Sequence, residues 1–177
     1  AVAFCLDYSG SMYGRGEREL KSAMEFILDA DKASEERLQF SKYDKIFVIP
    51  FDSDNRTVLS GSGDNTKKLI ERINEADPSG GTNIYGCTVE AFKQLEKTGK
   101  DYTKTVILMS DGYSNTGRFD DVTNYYLNMT EKIPVYSIMF GDSSEYELGN
   151  LANLTNAKVF DGRTSLIRAF KEVRSYN

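Results

Sequence analysis

Three oxygen-bearing side chains stand at alternate positions directly after the first apolar segment of the chain. Asp7, Ser9 and Ser11 follow residues 1–6, whose continuous apolar run predicts a strand buried on both faces. Gly10 allows the backbone to turn tightly, so these three side chains can converge on one point. Oxygen ligands without any soft donor suit a hard divalent cation such as Mg²⁺, Mn²⁺ or Ca²⁺. The alternative is an ordinary turn in which a serine hydroxyl caps the following helix.

Two later turns offer further oxygen ligands. Thr82 lies in a Gly-Gly turn just before a predicted helix, and Asp111 comes shortly after a predicted buried strand. Each has a simpler explanation, because Thr is a common helix N-cap and Asp-Gly is a common turn dipeptide. We expect both carboxylates, Asp7 and Asp111, at exposed strand ends. Replacing either with Ala should therefore abolish cation binding and leave the fold intact.

The chain contains no histidine among its 177 residues. This absence excludes Ser-His-Asp and Cys-His catalysis, His-ligated zinc and the commonest general base near neutral pH. The formal net charge of −5 argues against a nucleic-acid partner, whose binding depends on clustered Lys and Arg. Cys5 and Cys87 form no CxxC pair, and we interpret both as buried free thiols that do not indicate a compartment.

Apolar segments alternate with amphipathic segments along the chain. The predicted strands cover residues 1–6, 45–51, 56–59, 105–109, 134–140 and 157–161. The predicted helices cover residues 17–31 with an extension toward 37, 84–99, 119–132 and 164–175, with two more around 69–73 and 148–154. The second and third strands are expected to form a hairpin at the sheet margin, with Pro50 at an edge-side position. Asp64 is a candidate N-cap for the helix after this hairpin.

This alternation predicts an α/β fold. The expected architecture is a doubly wound, mostly parallel central sheet with helices on both faces, similar to a Rossmann fold. We interpret residues 1–177 as a single domain, because the length fits one core and no linker or repeat divides it. The chain opens in a strand and lacks an initiator Met, so we expect a domain excised from a larger protein. No apolar run reaches the roughly 18 residues that a membrane-spanning helix needs.

The predicted topology brings the oxygen ligands together. In a doubly wound sheet, ligands bind outside the carboxyl ends of the strands, where the strand order reverses. The strands that end near Asp7 and Asp111 would be neighbours at that point, and the loop with Thr82 would lie beside them. Five oxygen side chains on three strand-end loops are difficult to attribute to capping alone.

These residues resemble the metal-ion-dependent adhesion site, or MIDAS, of von Willebrand factor A domains. That motif is Asp-x-Ser-x-Ser, followed by a Thr and then an Asp, and it matches Asp7, Ser9, Ser11, Thr82 and Asp111 in order. The segments DYSGSM, SGGTNIYG and LMSDGYSN also resemble that family, and the resemblance covers essentially the whole chain.

The resemblance implies a binding module and not an enzyme. Ser9 and Ser11 would ligate the ion directly, Thr82 and Asp111 would alternate between direct and water-bridged contact, and Asp7 would orient the serines and act through water. The expected ion is Mg²⁺, with Mn²⁺ and Ca²⁺ as alternatives. A ligand shell dominated by neutral hydroxyls leaves net positive charge and an open position, which an Asp or Glu carboxylate of a partner protein can fill. We expect an extracellular or cell-surface location ahead of a cytoplasmic one, with no nucleic-acid partner and no membrane insertion by this domain.

A different function class remains open at this point. A Mg²⁺-dependent phosphohydrolase of Rossmann-like fold would also place carboxylates at strand ends. It usually needs a carboxylate nucleophile with a general acid or Lys close by, whereas the first loop offers a single Asp followed by serines. Dinucleotide-binding and serine-hydrolase motifs, GxGxxG and GxSxG, are absent from the expected turns.

Two further expectations concern the surroundings of the site. A rim that contacts the partner protein would contain seven residues within two positions of the proposed ligands: Tyr8, Met12, Tyr13, Asn83, Tyr85, Tyr113 and Asn115. In some domains of this family the closing helix slides when the metal contacts change. Here that helix would be 164–175, moving with the loop 141–144, and the alternative is a static cover over the sheet.

Overall fold

The central sheet explains how the distant turns meet. The computed structural model describes residues 1–141 and 145–175, with strands β1 (Val2–Asp7), β2 (Lys45–Phe51), β3 (Leu59–Ser62), β4 (Thr105–Ser110), β5 (Val135–Met139) and β6 (Val159–Asp161). The order across the sheet is β3-β2-β1-β4-β5-β6. Of these strands β3 alone pairs antiparallel. The predicted α/β fold with a mostly parallel sheet is confirmed, and β1 and β4 are neighbours at the reversal of strand order.

Helices cover both faces of this sheet. Within the described residues they are α1 (Arg15–Leu28), α2 (Ala30–Glu35), α3 (Lys67–Glu75), α4 (Ile84–Glu96), α5 (Phe119–Asn128), α6 (Glu145–Thr155) and α7 (Leu166–Arg174). Apolar residues of α1, α3 and α7 join the core on one face, and those of α4, α5 and α6 join the core on the other.

The apolar run of β1 is continuous because the strand lies between these two cores. Phe4 and Leu6 point into the core beneath α1 and α7, whereas Ala3 and Cys5 point into the core beneath α4. All six residues of β1 are buried. Such two-sided burial is typical of the central strands of a parallel sheet. It holds the end of β1, and therefore Asp7, in a rigid part of the fold.

The first helical region is two helices and not the single helix that we predicted. Asp29 has an extended backbone, with φ −78° and ψ 116°, and separates α1 from α2. Its Oδ1 accepts hydrogen bonds from the N–H groups of Asp31 and Lys32 at 3.1 and 3.0 Å. The break has a local cause, because an Asp that caps the next helix cannot continue the preceding one.

The hairpin at the sheet margin is confirmed, but its second strand lies three residues later than predicted. β3 pairs Leu59 with Val48 and Ser62 with Lys45. The sequence does not predict a strand at residues 60–62, because Gly61 at their centre is a weak strand former. Gly61 has a packing reason, since a Cβ there would lie 3.0 Å from the Asn65 carbonyl oxygen and 3.2 Å from Leu69. A glycine therefore stands in β3 because α3 packs closely against it, and this glycine interrupts the sequence pattern from which a strand is usually predicted.

Two predictions about single residues in this region need correction. Asp64 is not the N-cap of α3; that position belongs to Thr66, whose hydroxyl donates to the Leu28 carbonyl oxygen at 2.6 Å. Pro50 does not lie on an edge strand, because β2 is flanked by β1 and β3. It is tolerated since β3 ends its pairing at Val48, which leaves the β3 side of Pro50 without a strand partner.

Several other predictions about the core and the closing helix can be compared with the structure. Cys5 and Cys87 are buried free thiols, as predicted. Leu166, Phe170 and Val173 of α7 are buried against the sheet. Of the loop expected to move with this helix, residues 142–144 lie outside the described part of the chain, so the sliding of α7 stays a prediction. In the described residues, no helix has both the length and the apolar character that a membrane crossing requires.

Candidate metal centre

The last residues of β1 and β4 are joined by a buried hydrogen bond. Leu6 pairs with Met109, so Asp7 and Ser110 follow at the next level of the sheet. The Ser110 hydroxyl donates to Oδ2 of Asp7 at 2.5 Å, and the Ser9 N–H donates to Oδ1 at 2.8 Å. Asp7 is fully buried. This contradicts our expectation of an exposed carboxylate, because the parallel sheet continues around the strand end and α4 covers it.

The two serine hydroxyls face each other, and the hydroxyl of Ser11 also contacts Asp111. The hydroxyl oxygens of Ser9 and Ser11 are 3.1 Å apart, and the Ser11 hydroxyl donates to Oδ1 of Asp111 at 3.0 Å. Neither serine caps a helix with its side chain: Ser9 makes no side-chain cap bond to the short 3-10 helix Gly10–Met12, and the N-cap position of α1 is Gly14. The alternative explanation of this turn, a capping serine, is therefore wrong.

Thr82 lies beside this group in a loop that is fixed on both sides. It is buried, and it lines the same cleft as Ser11 and Asp111. Its N–H donates to Oδ1 of Asn115 at 2.8 Å, and its carbonyl oxygen accepts from the Asn115 N–H at 3.0 Å. The N-cap of α4 is the next residue, Asn83, which accepts from the Gly86 N–H at 2.8 Å. Thr82 is thus not the capping residue that the alternative required.

Gly10 serves a different purpose from the one that we inferred. Its backbone is not in the left-handed region, and its N–H donates to the Gly80 carbonyl oxygen at 3.0 Å. A Cβ on Gly10 would lie only 3.3 Å from that oxygen. Glycine therefore permits close approach of the loop that carries Thr82 to the turn that carries Ser9 and Ser11.

The electrostatics of the site favour a bound cation. Burial, with a further contribution from the charge of Asp7, raises the pKa of Asp111 to about 6. Burial also raises the pKa of Asp7, although hydrogen bonds from Ser110 and Ser9 oppose this effect. A divalent cation beside these two carboxylates would stabilise their ionised forms, which burial disfavours.

The donor set fits a hard cation with oxygen ligands. It comprises two carboxylates and three hydroxyls, those of Asp7, Ser9, Ser11, Thr82 and Asp111. Among the described residues there is no group of three or more His, Cys, Asp or Glu side chains placed to hold a metal ion. Any ion held here would consequently depend on hydroxyl oxygens, a chemistry that suits Mg²⁺, Mn²⁺ or Ca²⁺.

A cleft of about 730 Å³ opens above these residues. Of the seven predicted rim residues, Tyr13 and Tyr113 line it with 81% and 62% of their surface exposed, and Asn115 is also exposed. Asn83 is half-buried, whereas Tyr8, Met12 and Tyr85 are buried and were wrongly placed on the rim. Tyr8 points inward because its hydroxyl donates to the Ile73 carbonyl oxygen at 2.8 Å.

Cations on the cleft wall are already paired. Arg15 contacts Glu19 at 2.6 Å, and Arg163 contacts Asp161 at 2.6 Å. The rim accordingly adds little net charge near the five ligands.

The sequence interpretation missed Ser110 and the residues that hold the Thr82 loop. Ser110 was detectable, because its level in β4 beside Asp7 follows once β1 and β4 are placed as neighbours. Asn115 was predicted for the rim but not as a residue that holds the Thr82 loop, and Ser53 was harder to find. Gly81 donates its N–H to the Ser53 hydroxyl at 2.7 Å, a contact between loops with no regular spacing in the chain.

Comparison with known proteins gives consistent findings. The family model of the von Willebrand factor type A domain matches residues 2–114. The inter-alpha-trypsin inhibitor heavy chain H3 of Homo sapiens is 28% identical over 165 residues, which cover 85% of this chain and 18% of that protein. The chain therefore spans less than a fifth of the length of such relatives.

Solved structures share the fold at lower identity. A von Willebrand factor type A protein from Catenulispora acidiphila has a TM-score of 0.80 at 19% identity, covering 97% of this chain and 41% of that one. Proximal thread matrix protein 1 from the mussel byssus, described with a zinc-occupied MIDAS motif, has a TM-score of 0.67 at 18% identity, covering 97% of this chain and 44% of that one.

Proposed function

Because the chain belongs to the von Willebrand factor type A domain family, whose members are typically protein-interaction modules, we propose that it is a cation-dependent binding module. Asp7, Ser9, Ser11, Thr82 and Asp111 hold a divalent cation in this proposal. A carboxylate from an Asp or Glu of a partner protein completes the site. The observation that carries the proposal is the continuous series of contacts from the Ser9 hydroxyl through the Ser11 hydroxyl to Asp111, in which neither serine caps a helix.

The five proposed ligand residues have different roles in holding the ion. Ser9 and Ser11 present neutral oxygens, which leave the ion's charge largely uncompensated. Asp7 accepts hydrogen bonds on both oxygens, among them those from the Ser9 N–H and the Ser110 hydroxyl, and it thereby orients the turn that carries the serines. Asp111 and Thr82 lie at the cleft, where one or the other can contact the ion directly. A bound cation would supply an electrophilic coordination position for the incoming carboxylate.

The charges of the cleft wall support the proposal that the bound cation, and not the wall itself, selects the partner protein. Since Arg15 and Arg163 are each paired with a carboxylate of this chain, they give little free positive charge to attract an acidic partner. Tyr13 and Tyr113 instead offer exposed aromatic surface, the type of residue enriched at protein interfaces. The rim would contact the partner around the carboxylate, and the metal would decide whether binding occurs.

Mg²⁺ is the ion that we propose, with Mn²⁺ and Ca²⁺ as alternatives. All five ligand side chains offer hard oxygen donors, and Mg²⁺ commonly keeps several waters while it contacts one or two carboxylates. The zinc reported for the mussel protein belongs to that structure. Zinc sites usually use Cys or His ligands, which the five residues here do not provide.

The alternative of a Mg²⁺-dependent phosphohydrolase has less support. Such an enzyme would need Asp7 or Asp111 as a nucleophile. Asp7 is fully buried, and both of its oxygens accept hydrogen bonds, so it has no path to a substrate. Asp111 lies at the cleft, but among the described residues no Lys lines the cleft beside it, and the other carboxylic side chain there, Glu19, is paired with Arg15. We therefore propose a non-enzymatic role. Hydrolysis of p-nitrophenyl phosphate with Mg²⁺ or Mn²⁺ that is lost in Asp111→Asn would overturn it.

Two broader statements stay predictions. One is that residues 1–177 form a single domain of a longer protein. The other is an extracellular or cell-surface location, to which the mussel matrix protein and the inhibitor heavy chain lend support by likeness only. Surface biotinylation of the source cells, followed by detection of the full-length protein, tests the location.

Selection from random peptides displayed on phage tests the partner chemistry. Peptides are captured on the immobilised domain in Mg²⁺ and eluted with EDTA. We expect the EDTA-eluted peptides to share an Asp or Glu, and replacement of that residue by Asn or Gln to abolish binding. Peptides eluted equally from Asp111→Asn, or without a shared acidic residue, would contradict carboxylate capture.

A further inference from the structure

A hydrogen-bonded network beside the site holds the loop that carries Thr82. We propose that Arg56, on the loop between β2 and β3, is a positioning residue: it fixes residues 77–82 against the turn after β1 and so sets the place of the Thr82 hydroxyl. This inference rests on the proposed cation site, because it concerns the geometry of one proposed ligand. Among the described residues, the side-chain hydrogen bonds of Arg56 go to Asp52, Tyr8, Asp77 and Ser79 and to none of the five proposed ligands.

The guanidinium of Arg56 bridges three segments of backbone and side chain. The two N–H groups of its Nη2 are shared among the Asp77 carbonyl oxygen at 2.8 Å, the Ser79 hydroxyl at 3.1 Å, the Tyr8 carbonyl oxygen at 3.4 Å and the Asp52 carboxylate. The group also lies 5.5 Å from the centre of the Tyr8 ring. Arg56 therefore connects the loop before α4 directly with the turn between Asp7 and Ser9.

Asp52 holds the guanidinium in this orientation. Its Oδ2 accepts from Nε at 3.0 Å and from Nη2 at 2.8 Å, and it also accepts from the Ser79 hydroxyl at 3.1 Å. Burial opposes ionisation of Asp52, but hydrogen bonds from the Asp54 N–H and from Arg56 keep its pKa below the ordinary value. The pair is partly buried, so it is less screened than an exposed ion pair.

The network is continuous with Thr82 through three successive residues. The Ser79 N–H donates to the Tyr8 carbonyl oxygen at 2.8 Å, and the Gly80 carbonyl oxygen accepts from Gly10. The Gly81 N–H then donates to the Ser53 hydroxyl at 2.7 Å. Gly80 has a φ of +65°, a conformation that side chains rarely adopt. Such a loop has few alternatives to the observed path while these anchors remain.

The geometry of Arg is needed and its charge alone is not sufficient. A guanidinium presents donors in a planar fork that can reach Asp52 and two loop acceptors together. A Lys ammonium can neutralise Asp52, but it lacks the second donor, Nε, that holds the guanidinium on Asp52, and its nitrogen lies at the end of a shorter side chain than Nη2. Arg56→Lys should therefore keep most of the stability and still loosen the loop. Arg56→Met removes both the charge and the fork.

The test measures Mn²⁺ affinity and loop order in the same variants. Calorimetry with Mn²⁺ should give about five- to tenfold weaker binding for Arg56→Met, and a smaller loss for Arg56→Lys at a near wild-type melting temperature. Amide hydrogen exchange of Gly81 and Thr82, measured by NMR without metal, should be faster in both variants. Arg72→Met is the matched control, because Arg72 is an exposed Arg on α3 that pairs with Glu75.

A double-mutant cycle separates positioning of Thr82 from a general effect. If Arg56 acts through Thr82, Arg56→Met should weaken Mn²⁺ binding no further in a Thr82→Val background. Full additivity, or unchanged exchange at Gly81 and Thr82 in both Arg56 variants, would overturn the role of Arg56. Failure of the wild-type protein to bind Mn²⁺ would instead overturn the proposed function, and the exchange measurement would still decide whether Arg56 fixes the loop.

Discussion

The hydroxyl of Ser110 lies 2.5 Å from Oδ2 of Asp7, so the last residue of β4 fixes the last residue of β1. Neither residue is exposed to solvent. The other oxygen of Asp7 accepts from the Ser9 N–H, which ties the carboxylate to the turn that it precedes. Asp7 thereby connects two neighbouring strands and the first ligand turn. A buried charge held in this way can orient a site without itself being accessible.

Removal of the Ser110 hydroxyl should weaken cation binding, because this hydroxyl holds the Asp7 carboxylate in place. In Ser110→Ala, Oδ2 of Asp7 loses its donor, and hydrogen bonds to charged groups contribute about 1.5–3 kcal/mol. We expect roughly tenfold weaker Mn²⁺ binding in calorimetry, with a lower free energy of unfolding in urea. The matched control is Ser137→Ala on the adjacent strand β5. Ser137 is equally buried, and its hydroxyl has no hydrogen-bond partner among the described residues.

The Ser137 variant should bind Mn²⁺ as the wild type does and should be equally or more stable, since it loses only an unpaired hydroxyl. Equal effects of the two substitutions would show that the hydrogen bond to Asp7 has no special part in the site.

Asp111 should titrate well above the ordinary range in cation-free protein. Burial and then the charge of Asp7 raise its pKa to about 6, so Asp7→Asn should lower the pKa of Asp111. Because the folded-state pKa exceeds the unfolded value, Asp111 lowers the free energy of unfolding as pH rises from about 4 to about 6, with no further change above. Cation affinity should rise over the same range. Carbon-13 NMR of the Asp carboxyls measures the titration, and an unshifted Asp111 in Asp7→Asn would contradict the coupling.

Gly81 should tolerate no side chain, although its φ is not positive. A Cβ there would lie 2.5 Å from Oδ1 of Asn115 and 3.2 Å from the Ser53 hydroxyl, which together hold the Thr82 loop. Gly81→Ala should lower the free energy of unfolding by about 1–3 kcal/mol and weaken Mn²⁺ binding. Gly149→Ala is the control, because nothing lies within 4 Å of a Cβ on this helical residue. It should raise stability by about 0.5–1 kcal/mol and leave Mn²⁺ affinity unchanged.

The exposed tyrosines should matter for partner binding and not for the ion. Tyr13→Ala and Tyr113→Ala are expected to reduce affinity for Mg²⁺-dependent peptides, because each removes exposed aromatic surface at the cleft. Tyr43→Ala is the control, since Tyr43 is 73% exposed but does not line the cleft. Surface plasmon resonance measures peptide binding, and calorimetry checks that Mn²⁺ affinity is constant. Equal losses in all three variants would remove Tyr13 and Tyr113 from the interface.

The sheet and the grouping of ligand turns could be predicted because both follow from periodic signals. Continuous apolar runs identified β1 and β4 as central strands, and the topology rule for doubly wound sheets placed Asp7 beside Asp111. The break at Asp29 and the position of β3 could not be predicted in the same way. An Asp that caps a new helix reads as one more polar residue of the old helix, and Gly61 lies in a strand because of its contact with α3.

Side-chain orientation within the turns was the other feature that could not be predicted from the sequence. Tyr8 and Met12 stand next to proposed ligands in the sequence, yet both are fully buried. Tyr8 instead contacts Ile73 and the Arg56 guanidinium. Proximity along the chain therefore identified which turns form the site but not which of their residues face solvent. The contacts of Arg56 with Asp77 and Ser79 are further examples, because they connect residues more than twenty positions apart with no pattern between them.

Calorimetric titration of the purified domain with Mg²⁺ and Mn²⁺ tests the central claim most directly. The wild-type protein should bind one ion, and Asp7→Asn and Asp111→Asn should each abolish detectable binding while the melting transition remains cooperative. Asp101→Asn is the matched control, because Asp101 is exposed on the segment before β4, whereas Asp111 follows the other end of that strand. It should bind as the wild type does. Unchanged affinity in both Asp7→Asn and Asp111→Asn, or no binding by the wild type, would contradict the assignment of the site.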